Sequence, residues 1–386
     1  MCEGPRRPIS LDLGETLLKL SVIQTVPALD AGGVERGTIE VAGELVQRGH
    51  RAIVISAGGR MVEKLTALGA EHIDLPVGRK SPTTLLFVKK LREIIKASGV
   101  NILHARSRLP AWISYLAWRT TDESFRPSFV TSVHGPYSVN RYSKIMMRGE
   151  RVIAISDFIQ HYISDNYSDV DMGKVSVIPR GINPLNFPYR YSPSKKWLQH
   201  WHEQQPQLAG SLIITLPARI TRWKGQLDFV RIIDELRKAN INAHGIIAGG
   251  VERKSEAYFD ELKSFILSSG VDQHITLTGH RDDLREVMSI SNLVLSVSRE
   301  PEAFGRTSLE ALALGIPVIA YDHGGASEVL NRIFSQGLVP ALDIDAAVRR
   351  AIEFLRSPPQ VPDNNPFTLS SMLDSTLNVY QDLASN

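Results

Sequence analysis

"GSLIITLPARITRWKGQ" (residues 210–226) decides the fold. An apolar run too short for a buried helix stops at Pro217, a loop carrying Arg219 and Lys224 follows, and a segment of helical period begins near Gly225. The order then repeats: "AHGIIAG" (243–249), a helix near 255–268, "HITLTG" (274–279), a short helix and "NLVLSVS" (292–298). A helix carrying Glu310, "PVIAY" (317–321) and a last helix near 344–356 complete the half. Upstream the same alternation runs through "LKLSVIQTV" (18–26), a helix from Val34, "RAIVIS" (51–56), a helix near 82–98, "VNILHA" (100–105) and a helix near 109–119. It continues with "SFVTSVH" (128–134), "RVIAIS" (151–156) and "KVSVIP" (174–179). Short strands alternating with helices predict βαβ units and parallel sheets covered on both faces.

The pattern restarts at residue 210 after a polar, Pro-rich stretch at 180–207, so the expectation is an α/β chain of two Rossmann-like, doubly wound domains facing across a cleft. A length of 386 residues suits two domains. The expected boundaries are 1–185, a linker at 186–207 with one short helix, 208–360, and a tail at 361–386. In that tail Phe367, Met372, Leu373, Thr376, Tyr380 and Leu383 recur at helical spacing beyond "SPPQVPDNNP", a helix expected to pack back towards the N-terminal domain.

A composition of 43% hydrophobic and 22% charged residues is that of a globular protein, and a net charge of +3 is too small to indicate nucleic acid. The charge is unevenly spread. From Lys89 to Arg151 twelve Lys/Arg stand against four Asp/Glu, interleaved with Trp112, Tyr115, Trp118, Tyr137 and Tyr142. Such a patch suits an anionic substrate or anionic lipid headgroups, or else a solvated basic face over core aromatics. Cys2 is the one cysteine, which leaves no disulfide framework or Cys-based metal site and fits a reducing cytoplasm. "LLKLSVIQTV" is interrupted by Lys19 and Gln24 and does not read as a signal peptide. No run approaches the roughly 18 apolar residues of a membrane span, so membrane contact would be peripheral, on the inner face of the cytoplasmic membrane.

Doubly wound domains bind ligands at the carboxyl ends of their strands. Three motifs stand there. "PALDAGGVERG" (27–37) places Gly32 and Gly33 before a helix whose N–H groups can receive an anion; it is GGxxxG, not the dinucleotide fingerprint, and a plain glycine turn is the alternative. Arg219 and Lys224 flank a loop entering a helix, where cations oppose the macrodipole unless both face an anion such as a diphosphate. In "PEAFGRTSLEALALG" (301–315) Glu302 leaves a strand and Glu310 sits in the first turns of a helix. A carboxylate gains slightly from a helix start, and a contact to the vicinal hydroxyls of a ribose explains Glu310 better.

With these motifs in order, the sequence resembles the family 4 retaining glycosyltransferases of the GT-B architecture, over essentially the whole chain. The resemblance is carried by "GGVER", "HARSR" (104–108), "SVHGPY" (132–137), "AIS" (154–156), "VIPRGIN" (177–183), "ARITRWKG", "LTGHRDDL" (277–284), the E-x7-E stretch and "YDHGGASEVL" (321–330). It departs at "RGIN", where the family more often has Asn-Gly and then an acid.

The resemblance implies that Glu310 binds the ribose and Glu302 the hydroxyls of the donated sugar, with the backbone at Phe304 and Gly305 holding that sugar. It implies that Arg219 and Lys224 neutralise the departing diphosphate, aided by Gly32 and Gly33, and that His134 is an active-site histidine near the sugar. Gly279 and His280 would line the base pocket. The expected reaction moves a sugar with retention from a nucleotide diphosphate sugar, a co-substrate rather than a cofactor, to a glycan or lipid-linked acceptor. No metal is expected, since cations and helix N-termini meet the diphosphate and no DxD-type acidic pair stands in a plausible loop. The basic aromatic stretch "RSRLPAWISYLAWR" (106–119) makes a lipid-linked or phosphorylated acceptor attractive, as in bacterial envelope polysaccharide or lipopolysaccharide biosynthesis. The competing readings are a sugar-nucleotide epimerase or oxidoreductase, opposed by the missing dinucleotide fingerprint, and a non-catalytic nucleotide-sugar-binding protein. A glycogen-type phosphorylase lacks its lysine motif here.

Overall fold

The computed structural model describes residues 18–30 and 32–385; Cys2 lies outside the described residues. Among the described residues seven strands form the first sheet: β1 (Ser21–Thr25), β2 (Arg51–Ser56), β3 (Glu71–Asp74), β4 (Ile102–Ala105), β5 (Ser128–Val133), β6 (Arg151–Ala154) and β7 (Val175–Val177). Their order is β3-β2-β1-β4-β5-β6-β7, and each pairing is parallel. Six more form the second: β8 (Leu212–Leu216), β9 (Ala243–Ala248), β10 (Ile275–Gly279), β11 (Leu293–Ser296), β12 (Val318–Tyr321) and β13 (Leu338–Val339). They are ordered β10-β9-β8-β11-β12-β13 and again parallel. The two doubly wound Rossmann-like sheets expected of the chain are present. Central strands such as β4 and β11 are buried at every residue because helices cover both faces.

Strand order reverses between β1 and β4 in the first sheet and between β8 and β11 in the second, and a ligand crevice opens at such a switch point. The loops after these four strands carry Gly32, Arg106, Lys224 and Glu302, so topology alone brings them to the cleft.

Several elements differ from the sequence expectation. The helix near 82–98 starts as a 3-10 turn (Pro82–Leu86), capped by Ser81, before the α-helix Phe87–Ser98. Strands β3 and β13 and the helices Val62–Ala67, Asp157–Asn166 and Gly324–Ile333 were not expected. Between the sheets, the helix Lys195–Gln204 is fixed to the second domain: Trp201 is buried with Leu208, Ile246 and Val287, Trp197 stacks on it at 5.1 Å, and the Trp197 indole N–H donates to Asp283 at 2.8 Å.

The chain leaves the second domain through Pro366 and brackets Ile182, whose N–H donates to Phe367 O (3.1 Å) and whose carbonyl accepts from Leu369 N–H (2.9 Å). The helix Leu369–Ala384 then lays Met372, Leu373, Leu377 and Tyr380 on the first sheet, in one core with Val22, Ile102 and Val130. No helix among the described residues is long and apolar enough to cross a membrane.

Candidate active site

The second domain contributes an ion pair held by its neighbours. After β8 the chain reaches Gly225 with φ +75°, where an added Cβ would lie 1.8 Å from the Val297 carbonyl, so only glycine lets this loop press against the end of β11. That contact brings Lys224 Nζ to 2.8 Å from Glu302 Oε1, with both side chains nearly buried. Ser298 Oγ donates to the same oxygen, and His323 Nε2 donates to the Ser298 carbonyl at 2.8 Å. Burial alone would raise the Glu302 pKa, but Lys224, the Ser298 hydroxyl and His323 outweigh it and hold the carboxyl below its ordinary range. Arg219 is exposed and turned to Glu252.

Glu310 is the second acid of the "PEAFGRTSLEALALG" stretch. It is 4% exposed, in the helix Arg306–Ala313 that starts from Gly305. Arg306 Nε, one turn earlier, donates to Glu310 Oε1 at 3.0 Å, and Arg36 of the first domain stands 4.0 Å from the same oxygen. Arg306 also reaches Glu40 of the first domain at 3.6 Å. The Phe304 ring is buried edge-on against Phe367, and its backbone packs on the start of the helix Gly324–Ile333, where a Cβ on Gly325 would lie 2.4 Å from Phe304 Cα. Gly279, at φ +70°, and His280 stand exposed at the rim, where His280 Nε2 meets Asp282 at 3.2 Å. They border the Arg219 loop through Gly250, whose carbonyl accepts from Ile220 N–H at 3.0 Å.

In the first domain the helix Gly33–Gln47 starts from exposed Gly32 and Gly33. Its N-terminus already has a carboxylate: a Cβ on Gly32 would lie 2.5 Å from Glu35 Oε2. Burial raises the Glu35 pKa, with Asp30 adding to it and Arg219, across the cleft, opposing it.

His134, at the end of β5, has Nδ1 2.9 Å from Arg180 Nη2, and its Nε2 is buried without a partner among the described residues. Burial, then Arg180, Arg106 and His104, push its pKa well below the ordinary histidine value. Arg106 is itself buried, donating to Gln24 Oε1 at 2.7 Å; it therefore does not belong to the surface patch in which the sequence placed it. His104 lies beside it, between Ser132 Oγ (2.6 Å) and Tyr380 OH (2.7 Å).

The structure thus joins Lys224 to Glu302 directly and Glu310 to the Gly33–Gln47 helix through Arg36. It leaves Arg219 and His280 at the rim and sets His134 on the first sheet beside Arg180. Sequence reasoning missed Arg306, Glu40, His323 and the roles of Arg106 and Arg180; of these, only the odd "RGIN" pointed anywhere. Among the described residues no group of three or more His, Cys, Asp or Glu side chains could hold a metal ion.

Comparison with known proteins gives the family. Residues 31–184 match the family Glycosyltransferase Family 4, and residues 199–365 match Glycosyl transferases group 1. A crystal structure of a glycosyltransferase from Rickettsia africae ESF-5 is 32% identical, covering 95% of this chain and 99% of that one with a TM-score of 0.84. The Anabaena protein Alr3699/HepE, solved with UDP-glucose, is 19% identical over 95% of this chain and 98% of its own, with a TM-score of 0.73, a likeness of fold. The lipopolysaccharide core biosynthesis mannosyltransferase LpcC of Rhizobium leguminosarum bv. viciae is 28% identical over 151 residues, 39% of this chain and 43% of the relative's own length. The chain belongs to glycosyltransferase family 4, the retaining nucleotide-sugar transferases of GT-B fold.

Proposed function

We propose that this chain transfers a sugar, with retention, from a nucleotide diphosphate sugar to a lipid-linked or phosphorylated glycan, in envelope polysaccharide or lipopolysaccharide biosynthesis. The reading is carried by the nearly buried Lys224–Glu302 pair at one switch point, opposite the Gly32–Gly33 helix start at the other. As the anomeric carbon–oxygen bond breaks, charge develops on the diphosphate; Lys224, Arg219 and the helix N–H groups stabilise it, with Glu35 displaced from the helix start. Glu302, already held by Lys224 and Ser298, positions the sugar hydroxyls, and His134 Nε2–H donates to the same sugar. Glu310 takes the ribose. The acceptor hydroxyl attacks from the face the diphosphate leaves and passes its proton to the diphosphate oxygen. HepE and LpcC, by their names and contents, support a nucleotide-sugar donor and an envelope acceptor respectively.

The acceptor class draws support from an open groove of about 720 Å³ lined by Trp112, Tyr115, Arg119, Arg141, Lys144 and Arg148 on the first domain. A thermal-shift screen against UDP-, GDP- and ADP-sugars tests the donor: at 100 times its Kd the right one adds about 2.7 kcal/mol of stability. No shift with any of them refutes the reading. Neutralising Arg119, Arg141 and Arg148 together should lower partitioning onto anionic vesicles, and unchanged partitioning removes the lipid-linked acceptor.

A further inference from the structure

Arg180 is, with Asn183, one of the two residues at which "RGIN" departs from the family pattern. It is 7% exposed and has no carboxylate within ion-pair distance among the described residues. Its Nη2 faces His134 Nδ1 at 2.9 Å, and its Nη1 lies 3.9 Å from the Met372 sulfur of the C-terminal helix. The opposite side is closed by Gly37, where a Cβ would stand 2.2 Å from Arg180 Nη1 and 3.1 Å from Arg106 Nη2. Only glycine at the third position of "GGxxxG" admits the two guanidinium groups. An arginine is built into the interior here at the expense of burying its charge, and its one strong side-chain hydrogen-bond partner is a histidine.

A guanidinium has donors and no acceptor. The Nδ1 that receives it must carry a lone pair, so the proton of the neutral ring sits on Nε2, the buried nitrogen that has no partner among the described residues. A buried donor left unmade is destabilising, and a ligand acceptor would remove that cost.

We propose that Arg180 is a positioning residue for transfer: it locks His134 as the neutral Nε2–H tautomer, so that the ring offers a fixed hydrogen-bond donor to the transferred sugar. This rests on the reading that His134 meets the donor sugar. The groups facing His134 all point the same way. Arg106 and His104 come from β4 and the residue after it, and the Tyr137 hydroxyl accepts from the His134 backbone N–H at 3.2 Å. Facing Arg180 are Arg106, Glu40 of the Gly33–Gln47 helix, Arg306 of the second domain and Tyr137; burial and the neighbouring guanidinium groups pull its pKa down to about 9, still charged at neutral pH.

The test begins without substrate. Nitrogen-15 spectra of the histidine rings, assigned with His134→Gln, should show the Nε2–H tautomer for His134 in the wild type and no protonation down to pH 6. An Nδ1–H ring, or an imidazolium at pH 6, overturns the proposal whatever the enzyme's substrate. In Arg180→Met the ring signals should become those of a tautomer mixture, while burial and Arg106 still hold the His134 pKa below the ordinary histidine value. With donor and acceptor, Arg180→Met should lose about tenfold in kcat with little change in KM. Arg180→Lys, which keeps a charged donor, should restore both the single tautomer and kcat. An Arg180→Met enzyme whose ring signals match the wild type overturns the proposal, and so does a kcat loss that Arg180→Lys leaves unrestored. If Arg180→Met fails to fold, the wild-type tautomer decides alone. A wild type that turns over no nucleotide sugar refutes the function and leaves the tautomer measurement standing.

Discussion

Lys224 and Glu302 each sit where a single charge would be expensive, and each is tolerable because of the other. Lys224→Met should lower kcat by about 10²–10³-fold, the usual loss when one group facing developing charge is removed. It also strands Glu302, whose pKa should then rise above the carboxylate range under burial. Lys224→Met/Glu302→Gln should therefore recover thermal stability and recover no turnover; recovery of turnover would show that the pair is only structural. These residues were legible in the sequence because R-x4-K and E-x7-E follow two strands of one domain in the order the family has them. Arg106 and Arg180 were not. An arginine beyond a strand reads as a surface cation, and burial is decided by partners distant in sequence: Gln24 for Arg106, His134, Gly37 and Met372 for Arg180.

Loops and helices turn these residues into a site, and the loop after β11 has a clamp of its own. Asp228, fully buried in the helix Gln226–Lys238, accepts from Arg299 Nη1 with both oxygens at 2.7 Å, and the Arg299 N–H donates to the Trp223 carbonyl at 2.7 Å. The Lys224 loop and the Glu302 loop are tied there. The two partners are unequally buried: the Arg299 side chain is 44% exposed and can hydrate if released, whereas Asp228 cannot. Arg299→Met should thus destabilise by about 2 kcal/mol, less than the loss of a lone buried pair because Arg231 and the Tyr321 hydroxyl, each at 3.3 Å, still reach Asp228, against about 1 kcal/mol for Asp228→Asn. Urea unfolding measures both, and equal costs would mean that the backbone bond alone holds the loop. The strand–helix alternation was readable because central strands buried on both faces are continuous apolar runs. Strand β3 is "EHID" at a sheet edge and β13 has two residues, too little to show a period. The helix Asp157–Asn166 carries a start signal that was overlooked: Ser156 Oγ accepts from Ile159 N–H at 3.1 Å.

Ser156 and that helix also join the two domains, with Ser156 Oγ donating to the Ala303 carbonyl at 2.6 Å and Glu328 accepting from the Asp157 and Phe158 N–H groups at the helix start. The C-terminal helix adds a second tie by completing the first domain's core. Ending the chain after Pro366 should uncover Val22, Ile102 and Val130 and unpair His104 Nδ1, giving a protein that binds a hydrophobic dye and loses its cooperative transition; a cooperative, dye-silent truncation would contradict the packing. Acid should act on both domains through buried histidines. His104 in the first sheet is held neutral by burial and by Arg106 and Arg180, and His244 in the second is pulled to about 4 by burial, His274 and Arg237. Unfolded histidine binds its proton near 6.5, so between 6.5 and the folded value the unfolded chain carries more protons and stability falls as pH falls. Glu35 and Glu328, raised by burial, work the other way only between 4.5 and their own raised values. For His244 the linkage amounts to roughly 2 kcal/mol between pH 7.5 and 5. Urea unfolding of the wild type should lose stability over that range, and His244→Asn should lose less by about that amount. Because Nε2 of His244 pairs with Thr276 Oγ1 at 2.9 Å, the variant starts lower at pH 7.5, and only the slope decides. Parallel pH curves for the two proteins would show that His244 takes up its proton as readily in the folded chain as in the unfolded one.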